Sequence, residues 1–479
     1  MKQPVIPDLP GRAHGLDALR GSAILMMVLS GIIPFGVLPA WMYHAQVPPP
    51  DHAFDPGIAG ITWVDLVFPL FLFSMGVAIP LALNRRLERG TRLSEVCTSI
   101  AGRGVMLFFF ALFLQHVRPA VLQPADPESW PYLAGIAGFG LLFLIYTRPP
   151  AMWSRNLVRG LRIAGFAGAI AMLVFLQYPD GSGFSLYRSD IILVVLANMA
   201  VFASLIWLAT RHRPLMRLGL LAFLAALMLA ANEEGWVSAF WNDSPVPWIF
   251  RFDYLKYLFI LLPATVAGDL LHDAMKKGYP ETLRGNNRQS HRKLMLVSLA
   301  GAALLLVVLT GLFTRQVVAA FMVSIVIMGS GLWLLRHTSD ETERLFRILL
   351  LHGTFWLLLG FFAEPFEGGI RKDHATFSYY FVTTGLSIWI LVPLMIWIDV
   401  LGGRRRLSLL IQNGQNPMIA YAGMQNAILP VLTLTGLHDM LVGLTVFNPW
   451  FGVARALLYT LLLAIMVRFF TRKNIFWRS

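Results

Sequence analysis

Apolar runs of roughly 18 residues or more recur from one end of this 479-residue chain to the other, and that recurrence leaves few folds open. In hydrocarbon every backbone N–H and C=O must be paired within the segment, so a continuous apolar run has to be a helix. The runs do not alternate, which excludes an outward-facing β-barrel. Hydrophobic residues make up 57% of the chain and charged residues 14%, against about 25% charged in soluble domains. The chain is therefore read as an all-α, polytopic membrane protein forming a single domain over residues 1–479.

The runs predict about 14 spans, within a range of 10 to 14, near 17–40, 62–83, 100–117, 132–147, 161–178, 190–209, 215–231, 253–273, 294–314, 316–335, 346–363, 376–399, 414–436 and 453–471. The first is interrupted by Gly31 and Pro34 and lacks a small-residue cleavage site, so it is expected to be retained. Of the 39 Lys and Arg residues, 31 fall on one set of alternating loops and 8 on the other. This asymmetry predicts both termini on the cytoplasmic side. The single cysteine, Cys97, precludes an intrachain disulfide.

A net charge of +13 raises the question of a nucleic-acid partner. The basic residues instead follow the loops, as topology demands, and no basic run is interleaved with aromatics. Membrane lipid is the expected surface, nucleic acid is not expected, and a homodimer is left open. The basic loop 274–293 reads as a solvated segment against anionic lipid. No spacing of His or Cys suggests a metal.

Four polar constellations stand out. Asp17 and Arg20 lie three apart at the start of the first span, where they can pair on one face and suit the helix dipole. His52, Asp55 and Asp65 follow the first span on the opposite side. His52 has the residue type of a general base near neutral pH, and Asp51, Asp55 or Asp65 can orient it. Asp65 lies inside the second span, where an unpaired charge is costly, so it is expected to face a partner or a wet cavity. His44 is a rival on the same loop. Glu367, Lys372, Asp373, Ser378 and Tyr379 mix both charge signs with hydroxyls before the twelfth span, where Thr376 or Asp373 can serve as helix cap. Asn416-Pro417 opens the thirteenth span close to Arg404, Arg405 and Arg406, a pattern that suits phosphate.

Leu16-Asp17-x-x-Arg20-Gly21, His52-Ala53, the run Gly60-Ile61-Thr62-Trp63-Val64-Asp65-Leu66-Val67-Phe68-Pro69, Lys372-Asp373 with Ser378-Tyr379, and Gly414-x-Asn416-Pro417 together resemble the heparan-α-glucosaminide N-acetyltransferase-like family, in its bacterial branch. That family belongs to a transmembrane acyltransferase superfamily. The signatures cover 12–84 and 364–425. The resemblance implies an acyltransferase in the bacterial inner membrane, moving acetyl from cytoplasmic acetyl-CoA to an amino sugar or glycan on the periplasmic side. It carries the catalytic histidine onto His52, as base or as transient acyl carrier. Asp17, Arg20, Arg85, Arg86, Arg103, Arg404, Arg405 and Asn416 are then candidates for holding the donor, and Trp63, Glu367, Lys372, Asp373, Ser378 and Tyr379 for the acceptor. The alternative is a secondary transporter of a sugar or other small polar solute, which many spans with breaks at Gly31, Pro34, Pro69 and Pro80 would suit.

Overall fold

A computed structural model describes residues 12–126, 128–148, 153–279, 288–338 and 340–479. Lys2 and the part of the basic loop at 280–287 lie outside the described residues. The helices are α1 (His14–Ser30), α2 (Trp63–Glu88), α3 (Leu93–His116), α4 (Pro119–Leu122), α5 (Trp130–Tyr146), α6 (Arg155–Phe175) and α7 (Ile191–Thr210). They continue as α8 (Pro214–Ala230), α9 (Trp236–Asn242), α10 (Leu258–Lys276), α11 (Arg288–Phe313), α12 (Val317–Leu334) and α13 (Glu341–Ala363). The last are α14 (Phe377–Met395), α15 (Ser408–Gln415), α16 (Pro417–Gly423), α17 (Leu429–Leu434), α18 (Leu437–Phe447) and α19 (Trp450–Arg472). π-Helical turns extend α14 over Ile396–Val400 and join α16 to α17 over Met424–Ile428.

The protein is an integral, polytopic, all-helical membrane protein. Among the described residues ten helices are long and apolar enough to cross a membrane, or eleven if α16, α17 and α18 are one span broken by an 83° bend. The expected count of 14 exceeds this because α1, α5 and α8 have 17 residues each. At 1.5 Å per residue they reach about 25 Å, short of a core of about 30 Å. Gly31 and the Pro34 turn end α1 well before residue 40.

Burial sorts the bundle into a centre and a rim. The apolar stretches of α2, α10 and α14 are each 72% buried, while those of α6 and α12 are 17% and 22% buried and face outward. α1 begins at the end of the bundle where α2 finishes with Arg85 and Arg86, here called the basic end. The loop 31–62 and the loop before α14 lie at the opposite end.

Two contacts hold α1 in the centre. Its first turn is capped by a distant side chain, because the Asp399 carboxylate accepts from His14 N and Gly15 N at 3.1 Å each. Farther along, Gly21 meets Gly414 of α15 backbone to backbone. A Cβ on Gly21 would run into the Leu410 carbonyl, and one on Gly414 into the Asp17 carbonyl. Small residues allow this approach, which van der Waals packing in a membrane rewards. Backbone cannot yield as a side chain can, so Gly414→Val is expected to cost at least the upper end of the roughly 1–3 kcal/mol typical of overpacking. Thermal unfolding of the detergent-solubilised protein measures it, with Gly443→Val, in open space, as the control expected to leave the melting temperature unchanged.

Candidate active site

The site at the loop end is built on the first turn of α2. Thr62 is the N-cap, accepting from Val64 N, and Asp65 closes a capping box by accepting from Thr62 N at 2.9 Å. That local motif starts the helix, and the rest of the Asp65 carboxylate reaches beyond it. Oδ2 also accepts from Ala45 N at 3.2 Å, and Oδ1 lies 2.7 Å from His44 Nδ1. Asp65 is 2% exposed, so these donors replace its water.

The neighbourhood of His44 is assembled from three segments. Lys372 Nζ lies 3.3 Å from His44 Nδ1. Tyr379, buried in α14, donates its hydroxyl to the Asp65 carbonyl at 2.8 Å. Gln46 accepts from Asp373 N at 2.9 Å and donates to the Asp373 and Pro56 carbonyls, tying the first loop to the one before α14. With Nδ1 directed at Asp65, His44 presents Nε2 as its free basic nitrogen.

His52 is placed differently. The expectation that Asp55 or Asp65 orients it is corrected: Asp65 pairs with His44, and Asp55 accepts from Gly57 N at 2.8 Å in a local turn. Both His52 ring nitrogens meet backbone, Nε2 accepting from Gly36 N at 3.1 Å and Nδ1 facing the Val47 carbonyl at 3.2 Å. The ring stacks on Phe35 and meets Tyr43 edge-on, and the backbone has φ +50°. This is the bonding of a side chain that shapes a loop.

The expected acceptor residues divide as well. Lys372 and Tyr379 reach the His44–Asp65 pair. Glu367 instead caps α14, accepting from Phe377 N at 2.6 Å and Ser378 N at 2.8 Å. Ser378 is buried against the hydroxyl of Thr376, the α14 N-cap. Asp373 is held through its backbone with its side chain exposed. Trp63 opens α2 and packs beside Ile33 and Tyr43.

At the basic end a cavity of about 450 Å³ is lined by Arg12, Arg20, Arg86, Arg103 and Arg478. Asp17 pairs with Arg12 at 2.6 Å and lies 4.0 Å from Arg20, which also donates to the Ser74 carbonyl at 3.1 Å. Loss of bulk water, followed by the charges of Arg12 and Arg20, pushes the Arg478 guanidinium down to about 10. Such crowding of like charge favours an anionic ligand. From the arginines the cavity follows α2 past Ile79 and Met75 to Phe71, between α1, α3 and α7. Arg86 to Phe71 is about 22 Å of helix, and Asp65 lies about 9 Å beyond Phe71.

Of the donor candidates, Arg20, Arg86 and Arg103 line this cavity, while Arg85, Arg404, Arg405 and Asn416 do not. Asn416 supports it indirectly. Its amide donates to the Ile475 carbonyl at 2.8 Å and accepts from Trp477 N at 3.1 Å, which holds the C-terminal segment so that Arg478 reaches the cavity. Arg478 carries no signal in sequence. His44 does carry one, because the loop after α1 holds two His-Ala pairs, His44-Ala45 and His52-Ala53. Among the described residues no three His, Cys, Asp or Glu side chains converge as a metal site requires.

The profile of DUF5009, a domain of unknown function, matches residues 12–271, more than half of the chain. The chain belongs to the DUF5009 family. The match to DUF5009 includes His44, Asp65 and four of the five cavity arginines, and excludes Lys372, Tyr379 and Arg478. Human heparan-alpha-glucosaminide N-acetyltransferase is similar too, 31% identical over 123 residues. That alignment covers 26% of this chain and 16% of the human protein.

Removing the Asp65 carboxylate leaves Thr62 N and Ala45 N as buried donors without acceptors, at about 1–3 kcal/mol each. Asp65→Ala is therefore expected to lower the melting temperature and to open the loop 43–62 to limited proteolysis. Asp55→Ala, whose carboxylate serves one exposed turn, is expected to do neither.

Proposed function

We propose that this DUF5009 protein is a membrane acyltransferase that passes an acetyl group from acetyl-CoA, bound at the basic end, to an amino sugar or glycan at the loop end. The observation that carries this reading is the cavity itself: an arginine cluster at one end of the bundle continues as an apolar channel along α2 toward the His44–Asp65 pair. A polyanionic donor with a long, thin arm has the shape and charge of that space. Partial similarity to a named N-acetyltransferase supports the reaction type.

In this mechanism Arg12, Arg20, Arg86, Arg103 and Arg478 hold the phosphates of the donor. The acceptor amine attacks the thioester carbonyl. His44 Nε2 takes the proton the amine loses, while Asp65 fixes the imidazole through Nδ1 and stabilises its charged form. The C–S bond breaks, an N-acetyl amide forms, and the leaving thiolate takes the proton from the His44 imidazolium, so a free thiol is the second product and His44 is neutral again. The basic end faces the cytoplasm in this scheme, consistent with its excess of Lys and Arg, and the membrane is a bacterial inner membrane.

Proteoliposomes given radiolabelled acetyl-CoA and glucosamine test it. A positioned general base contributes about 10²–10⁴-fold, so His44→Ala is expected to lose at least about 100-fold in kcat, and His52→Ala less than about tenfold with a lower melting temperature. The opposite ranking of the two variants would overturn the assignment of His44. Absence of acetyl transfer by the wild type to any amine acceptor would overturn the reaction. Arg103→Gln is expected to raise the KM for acetyl-CoA about tenfold or more, the value of one lost charge-assisted contact, with kcat nearly unchanged.

A further inference from the structure

Arg404 and Arg405 were expected beside the donor, yet the cavity does not include them, and the turn that carries Arg405 packs against Trp397, which lines a different surface feature. On the membrane-facing flank of the bundle a second hollow, of about 780 Å³, runs between the first turns of α11 and the last of α14. Met295, Leu296, Leu299 and Ala302 form one wall, and Pro393 and Trp397 the other. The two helices are drawn together at Gly301, where a Cβ would strike the Trp389 carbonyl and the Pro393 ring.

The mouth of this groove is basic. Arg292 is the charged residue among those lining it. The turn Gly403–Arg405 folds back on the last turn of α14, with Gly403 against the Trp397 carbonyl, which brings Arg405 and Arg406 to the same end. Among the described residues no carboxylate pairs with Arg292, Arg405 or Arg406, whereas the neighbouring Lys293 is neutralised by Glu343 at 2.6 Å. Half-exposed Trp397 suits the boundary between headgroups and acyl chains.

We infer that this groove is a binding site for one anionic phospholipid, its acyl chain laid along α11 and its phosphate held by Arg292 with Arg405 and Arg406. Charge decides the occupant. An apolar hollow alone would accept any lipid tail, but a cluster of cations without acidic partners at the depth of the headgroups selects a net negative one. The groove abuts the π-turn carrying Asp399, which caps α1. A lipid seated there rests on the element that fixes the position of Arg12, Asp17 and Arg20.

Native mass spectrometry of the full chain, exchanged into detergent with equal phosphatidylglycerol and phosphatidylcholine, reads this directly and does not depend on the acyltransferase reading. The wild type is expected to retain phosphatidylglycerol preferentially, and Arg292→Gln and Arg405→Gln to weaken retention about fivefold each, the worth of one cation near anionic lipid. Ala302→Trp, a substitution at an exposed wall position, is expected to expel the lipid while keeping all three arginines and an unchanged helical circular dichroism spectrum. Equal retention of the two lipids by the wild type, or undiminished phosphatidylglycerol on Ala302→Trp, would overturn the site.

Discussion

Removing a carboxylate from water at the first turn of a membrane helix costs several kcal/mol unless donors replace the water, and the site end of this protein is arranged around meeting that requirement at Asp65. The donors come from different places in the chain: Thr62 N from the helix start, Ala45 N and His44 from the loop after α1, with Lys372 alongside from the loop before α14. Each bond that satisfies the charge also fixes a segment. The loop 43–46 is drawn down onto α2, the 371–376 turn is tied to it through Gln46, and Tyr379 locks α14 to the Asp65 carbonyl. A histidine with one nitrogen committed and one free is the by-product of solving a solvation problem.

The basic end solves the reverse problem. Five arginines share one cavity with Asp17 as their nearby acid, and the bundle holds them close although their charges repel. Backbone contact between Gly21 and Gly414 and the Asp399 cap on α1 supply rigidity at this point, because neither depends on filling the cavity. The unneutralised charge is a standing affinity for an anion. Stability is thus concentrated in glycine contacts and caps, which hold like charges close together.

Much of this was legible in the sequence for identifiable reasons. Apolar runs and loop charge follow from the solvent, so the helices lie near their predicted places, although α1 ends at Ser30 and the run at 414–436 is bent. Asp65 was marked by its depth, and Asp17, Arg20, Arg86 and Arg103 by the charge they bring to one end. In sequence His44 falls below His52 because the family resemblance lands on His52-Ala53, and the direction of Asp65 is what separates the two. Glu367 and Ser378 read as substrate groups because a carboxylate that caps a helix across ten residues of loop resembles a free one in sequence. The predicted span count is high because α5 and α8 are apolar but about one turn short, and α1, with Asp17 and Arg20 in its first turns, is as short.

The sequence by itself determined that this is an all-helical membrane protein with acid and histidine at one end and arginine at the other, because burial in hydrocarbon acts residue by residue along the chain. Tertiary structure alone decided which histidine meets Asp65, that Arg478 joins the basic-end cavity through the segment Asn416 holds, and that Arg405 lies outside that cavity. Those are pairings between segments tens to hundreds of residues apart, set by how helices cross at positions such as Gly21 and Gly414, and no local pattern encodes them.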